Sequence, residues 1–336
     1  MLPALVGLLC LPPASSVFTA EHGSLGATVR GTVKHHHHDH HHHHHHHESR
    51  QAELLVYRPK ARWRGLFSVF SHSLRYLRDN GNRNLPIKIE WTDIPNYNYG
   101  EDEKRNLWDD FFLQPYEVMG YKNLTGEEYA EVEKEHKFMK EDISEGYGTK
   151  RGVEISEEKM ELGRSLVHQY VRVRPDIQAE VAQFRAKHLA GFKSPFAVHI
   201  RLTDKITQSE ENFESHVEFR KKIEKFMELN GHDAFFLATD SAKVKAYLKS
   251  YFGDKCIVYP STLSTNKSHY GAVHKDLSIR GFKKAKDIVM ETLIMASCDA
   301  FISTFSSVSN GVRWLGQNKL ANDHHYFLDE SDTKSQ

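Results

Sequence analysis

Between residues 193 and 303 four short apolar runs recur, each separated from the next by a stretch with helical spacing. The runs are Phe196–Ile200, Ala234–Thr239, Cys256–Tyr259 and Asp299–Ser303. Their length and composition suit strands buried on both faces. Between them lie Phe213–Leu229, closed by Asn230-Gly231, then Ala242–Tyr251, closed at Gly253, then a helix from about Lys284 to Ala296. Such alternation implies a parallel sheet with helices on both sides. Ligands of such sheets sit beyond the carboxyl ends of the strands.

A similar unit precedes it. Glu53–Tyr57 reads as a strand, Gly65 as the turn, and Phe70, Leu74 and Leu77 as the apolar stripe of a helix that stops at Asn80-Gly81. Pro86–Trp91 alternates as a second strand. One turn glycine in place of G-x-G-x-x-G argues against a dinucleotide cofactor. Asn106–Leu113 is aromatic and acidic, which suits either a sugar-stacking wall or ordinary core. Glu127–Glu161 is charge-dense and reads as solvated helices. A helical stretch from Ser156 to Leu189 breaks at Pro175. The expected fold is α/β, GT-B-like, with two Rossmann-like halves facing a cleft. The expected divisions are residues 1–50, a leader and His-rich segment; 51–190, an N-terminal α/β half on the acceptor side; and 191–330, a C-terminal half that binds the donor.

Several classes are excluded. Lys+Arg and Asp+Glu are both 45, so no basic field invites nucleic acid. No run of 18 apolar residues suits a membrane span. Three cysteines, Cys10, Cys256 and Cys298, are too few for a cysteine-built zinc cluster. The latter two form either a disulfide or, as we expect, two buried thiols. Leu2–Leu11 followed by Pro-Pro-Ala-Ser-Ser resembles a secretory leader without the positive start. The sequons at Asn123 and Asn266 would take glycans in that compartment. The secretory lumen or secretion is therefore expected, with a cytoplasmic location as the alternative. His35–His47, broken by Asp39, holds half of the 24 histidines. It reads as a low-complexity linker rather than a metal buffer, because a homopolymer defines no coordination geometry.

Chemistry concentrates at three strand ends. They are His199-x-Arg201-x-Thr203-Asp204-Lys205, Ala238-Thr239-Asp240 and Thr304-Phe305-Ser306-Ser307. Arg201 and Lys205 offer positive charge for a diphosphate. Asp240 is either a ligand or a helix N-cap. The hydroxyls before the last helix suit an anion at a helix N-terminus.

These motifs, with Cys298-Asp299 leading into T-F-S-S and on to Arg313, resemble the donor half of α1,6-fucosyltransferases and nodulation-factor fucosyltransferases. The resemblance spans residues 193 to 315, with Gly65 matching in position only. It implies an inverting, metal-independent transfer of fucose from GDP-fucose to a glycan or glycoprotein acceptor, with no cofactor beyond the donor. It places Arg201 on the β-phosphate, His199 on the nucleotide, and Ser306 or Ser307 across the phosphate. Glu291 falls near the guanine, with Asp287 as its rival. Asp240, Thr304 and Gly65 complete the donor set. Lys205 and Arg201 join a base that is Glu210, displaced by one residue with Ser209 in its usual place, or else Glu211. Leu202 replaces the second arginine of H-x-R-R. No coiled coil or SH3-like domain is expected, which argues against a core N-glycan acceptor. The alternatives are a non-catalytic nucleotide- or glycan-binding relative and a protein O-fucosyltransferase-like enzyme.

Overall fold

The computed structural model describes residues 52–59, 64–98, 105–121, 124, 129–133, 156–202, 213–262, 278–304 and 306–316. The chain divides into two units, Met1–Ser49 and Arg50–Gln336. The leader and the histidine tract belong to the first and lie outside the described residues.

In the second unit β1 (Ala52–Tyr57) feeds α1 (Leu66–Asn80), and a 3-10 turn at Gly81–Arg83 leads to β2 (Ile87–Ile89). Three short helices follow: α2 (Pro95–Asn98), α3 (Leu107–Phe111) and α4 (Pro115–Val118). Then come β3 (Tyr129–Glu133), α5 (Glu157–Tyr170) and α6 (Pro175–His188). The second half runs β4 (Pro195–Ile200), α7 (Phe213–Asn230), β5 (Ala234–Thr239), α8 (Ala242–Phe252) and β6 (Cys256–Val258). It ends with α9 (Gly281–Ala296), β7 (Phe301–Ser303) and α10 (Ser307–Leu315). Two parallel sheets result, in the orders β2-β1-β3 and β6-β5-β4-β7. The chain is thus mixed α/β with parallel sheets, as its alternation implies.

Strand β5 is buried at every position, which is why its sequence shows no polar alternation. Side chains of alternate parity enter different cores. Phe196, Val198, Ile200, Phe235 and Leu237 pack with Phe219, Ile223, Phe226, Val244 and Leu248. Ala197, Phe236 and Ala238 join a larger core with Met290 and Ile294, which extends to Phe67, Phe70, Trp91 and Trp108 of the first half. His199 shares the parity of Ala197, so its ring points toward the side where α9 and α10 pack.

Three expectations are corrected or resolved. The charged stretch after Glu127 is not only helix: Tyr129–Glu133 is a strand, paired with β1 from Ala52↔Tyr129 to Val56↔Glu133. A sheet-edge strand can carry charge, so composition concealed it. The aromatic stretch at 106–113 is core, with Trp108 fully buried and edge-on to Trp91 at 5.1 Å. Cys256 and Cys298 are free and buried. No helix among the described residues is long and apolar enough to cross a membrane.

Helix α2 packs on α9. A Cβ on Gly281 would sit 2.2 Å from the Tyr97 carbonyl oxygen. Backbone cannot yield as a side-chain tip can. Gly281→Ala is therefore expected to cost about 1–3 kcal/mol, read as a lower urea midpoint at unchanged m-value.

Candidate functional site

The carboxyl ends of β4, β5 and β7 are bound to one another. The Thr304 amide donates to the His199 carbonyl at 2.9 Å, continuing the ladder past β7. The Thr304 hydroxyl accepts from the Arg201 amide at 2.8 Å. Asp240 Oδ1 accepts from the Leu202 amide at 2.9 Å. Asp240 is therefore not the cap of α8. Ser241 fills that role, its hydroxyl accepting from the Val244 amide at 3.3 Å. The aspartate is taken up because the chain leaving β4 has an amide with no strand partner.

His199 is buried, and its ring meets the start of α10. Nδ1 lies 3.0 Å from the Ser309 hydroxyl and 3.3 Å from that of Ser306. Ser309 Oγ is also 2.8 Å from the Thr304 carbonyl, which can only accept. The single hydroxyl proton of Ser309 goes there, so Nδ1 carries a hydrogen and Nε2 is left as an acceptor. Burial, and secondarily the Arg201 charge, push His199 down to about 3. The ring is neutral at any physiological pH. Ser306 is the N-cap of α10, accepting from the Ser309 amide at 3.1 Å. Its hydroxyl thus faces inward, whereas Ser307 is half-buried at the first helical position.

A neutral buried histidine makes stability acid-sensitive. Its folded value lies below its ordinary 6.5, so its contribution is complete above that pH and is lost as pH falls toward 3. Asparagine places an N–H where Nδ1–H stands. His199→Asn is expected to hold its urea midpoint between pH 6.5 and 4.5 better than the wild type does. His199→Gln, which mimics Nε2 instead, should lose the Ser309 bond and be destabilised at every pH.

Arg201 is half-buried, and its charge reaches both His199 and Tyr97 of α2. The Tyr97 hydroxyl accepts from the Leu66 amide at 3.0 Å, the first N–H of α1 after Gly65. Burial raises Tyr97 to about 12, against the opposing pull of that amide and of Arg201. Lys284, fully buried, stands 6.0 Å above the Tyr97 ring. Gly65 has ordinary angles, φ −71° and ψ 154°. No atom lies within 4 Å of a Cβ built on it. The fold itself thus imposes no glycine there. Arg201, His199, Thr304, Ser306, Tyr97 and Gly65 are brought to one neighbourhood.

A second cluster lies on α9. Asp287 Oδ2 accepts from both the amide and the hydroxyl of Thr262 at 2.8 Å, and Oδ1 pairs with Lys283. Glu291, one turn later, accepts the Ser261 hydroxyl at 2.5 Å. Burial raises Glu291 to about 8; Ser261 and Lys245 oppose this, while Asp287 and Asp240 add to it. Asp240 therefore lies between the two clusters. Among the described residues no group of histidine, cysteine and acid is placed to hold a metal.

Lys205, Glu210 and Glu211 lie outside the described residues, as do Thr203, Asp204 and Phe305. Tyr97, Lys284 and Ser309 escaped sequence reasoning. Ser309 had a signal, the S-x-x-S spacing at a helix start. Tyr97 follows β2 in Pro95-Asn96-Tyr97-Asn98, a polar and aromatic strand exit of the kind noted elsewhere. Lys284 had none.

No protein-family model matches the chain, and no curated protein matches it. Solved structures do. The fucosyltransferase NodZ from Bradyrhizobium is 14% identical, with 78% of this chain and 92% of that chain covered, at a TM-score of 0.45. POFUT1 in complex with GDP is 12% identical, with 79% and 94% covered, at 0.46. Arabidopsis thaliana FUT1 in complex with GDP is 10% identical, with 81% and 73% covered, at 0.43.

Proposed function

We propose that the chain is an inverting glycosyltransferase that moves fucose from GDP-fucose to a glycan hydroxyl. The observation that carries this is the convergence of three strand ends on Arg201, joined through Thr304 and Asp240. Arg201 takes the β-phosphate, and Gly65 lies beside it through Tyr97, whose hydroxyl holds the Leu66 amide and on which the Arg201 charge acts. Ser307 is the hydroxyl left for the phosphate, because Ser306 caps α10. On this reading Glu291, with Asp287 as its rival, receives the guanine. On this proposal residues 191–330 hold the donor and 51–190 the acceptor, across a GT-B-like cleft. The secretory lumen is its compartment.

The acceptor oxygen attacks the sugar's anomeric carbon on the face opposite GDP. The bond from that carbon to the β-phosphate oxygen breaks, and GDP leaves with the electron pair. The acceptor proton passes to Glu210 or Glu211. Arg201 and Lys205 neutralise charge growing on GDP.

A thermal-shift screen with GDP, UDP, GDP-fucose and GDP-mannose tests the donor class, followed by GDP release on adding glycan acceptors. Stabilisation by GDP nucleotides but not UDP is the expected result. Equal shifts with UDP would contradict it. Binding without turnover would favour a non-catalytic nucleotide-binding relative, the reading to which Ser209 in the usual place of the base points.

A further inference from the structure

The Asp287–Glu291 pair has a property that its place near a nucleotide base does not require. Both carboxyls project from one face of α9, a turn apart, toward the same two residues after β6. Asp287 is saturated, with two bonds from Thr262 on one oxygen and Lys283 on the other. Glu291 receives the Ser261 hydroxyl on Oε1. Its Oε2 takes no hydrogen bond from any described residue, and Glu291 is only 6% exposed.

Two buried carboxyls this close do not both ionise readily. The donors and the cation gather on Asp287, which leaves Glu291 as the member of the pair that keeps a proton. The groups facing Glu291 lead to the same assignment. Lys245 of α8 favours its ionisation, whereas Asp240 beyond β5 and Asp287 oppose it. Tyr259 beyond β6 is neutral, pushed up by burial and by Asp287, Glu180 of α6 and Glu291. Glu180 pairs with Lys286.

Guanine presents N1–H and a 2-amino group side by side, two donors that need a bare carboxylate. A protonated Glu291 would set its own O–H against one of them. We infer that guanine-nucleotide binding expels one proton from Glu291, so that recognition of the base is tied to pH. The Glu291 O–H bond breaks, the proton passes to solvent, and two N–H donors take its place on the carboxylate. This rests on the donor-site proposal above.

Calorimetric titration of GDP-fucose into the full chain tests it, in buffers of differing ionisation heat. The sugar ester leaves no phosphate proton to titrate near neutrality, so protons counted come from the protein. Release of nearly one proton per nucleotide is expected at pH 7. Affinity should rise about tenfold per pH unit from pH 6 to 7.5 and level off above about 8. In Glu291→Gln the release and the slope should vanish, with affinity near wild type at pH 6 and well below it at pH 8. If that variant does not fold, the wild-type proton count decides alone. Binding with no release and no slope would overturn the inference and leave the donor site standing. No binding at any pH would overturn both.

Discussion

Arg201→Ala is expected to weaken GDP binding by about 30- to 1000-fold, or about 2–4 kcal/mol, with little change in fold. The loss is large because a guanidinium on a phosphate gives charge-assisted, forked contacts that water does not replace at a half-buried strand end. The fold should hold because the structural bond at this position is made by the backbone. The Arg201 amide reaches Thr304 Oγ1 at 2.8 Å whatever the side chain. Arg201→Lys should fall between the two, since it keeps the charge and loses the fork. The alanine variant should also let His199 move up slightly, though burial, its larger cause, remains. Titration calorimetry of the three proteins, beside their urea midpoints, separates affinity from folding.

Stability should show a second large effect, through Glu291. Its folded value, about 8, lies above the 4.5 of an ordinary glutamate. A carboxyl raised on folding binds its proton more tightly in the native state. Its contribution is complete below about 4.5 and is lost as pH rises through about 8. The loss is on the order of a few kcal/mol. His199 acts with the opposite sign, its contribution falling as pH drops from 6.5 toward 3. Between about 4.5 and 6.5 the two slopes oppose each other, so these groups define a plateau with a decline on either side. Glu291→Gln is isosteric with the protonated acid. It should match the wild type below about pH 4.5, where that contribution is complete, and exceed it increasingly above, by a few kcal/mol near pH 9. Unfolding of both proteins in urea at about pH 4 and pH 9 reads the difference directly. A wild type that keeps its midpoint at pH 9 would show that Glu291 is ionised in the folded chain.

Much of the fold was legible because burial and local signals agreed. Strand β5 and the start of α8 coincide with the boundaries read from the apolar run and the following Asp-Ser. The ends of α1 at Asn80 and of α6 before Leu189 were announced by Asn-Gly and by the close of helical spacing. Strand β3 was not legible, because its charged residues matched the solvated helices expected around it. Local spacing pointed to His199, Arg201 and Thr304, which the structure brings together. It left Asp240 open between ligand and helix N-cap, because the demand of the Leu202 amide comes from a position 38 residues earlier. Tyr97 and Lys284 were beyond reach for a related reason. Gly281 lets α9 close on α2 beside Tyr97, a long-range contact that no local pattern encodes. The crowding of Glu291 by Asp287 and Ser261 was likewise out of reach, because it joins α9 to the chain after β6.

The most direct measurement is titration of GDP and UDP into the wild-type chain and into Arg201→Ala, at one pH and salt concentration. The account predicts saturable binding of GDP with one site per chain, weaker binding of UDP, and loss of most GDP affinity in the variant. Equal affinity of GDP for wild type and variant would contradict it.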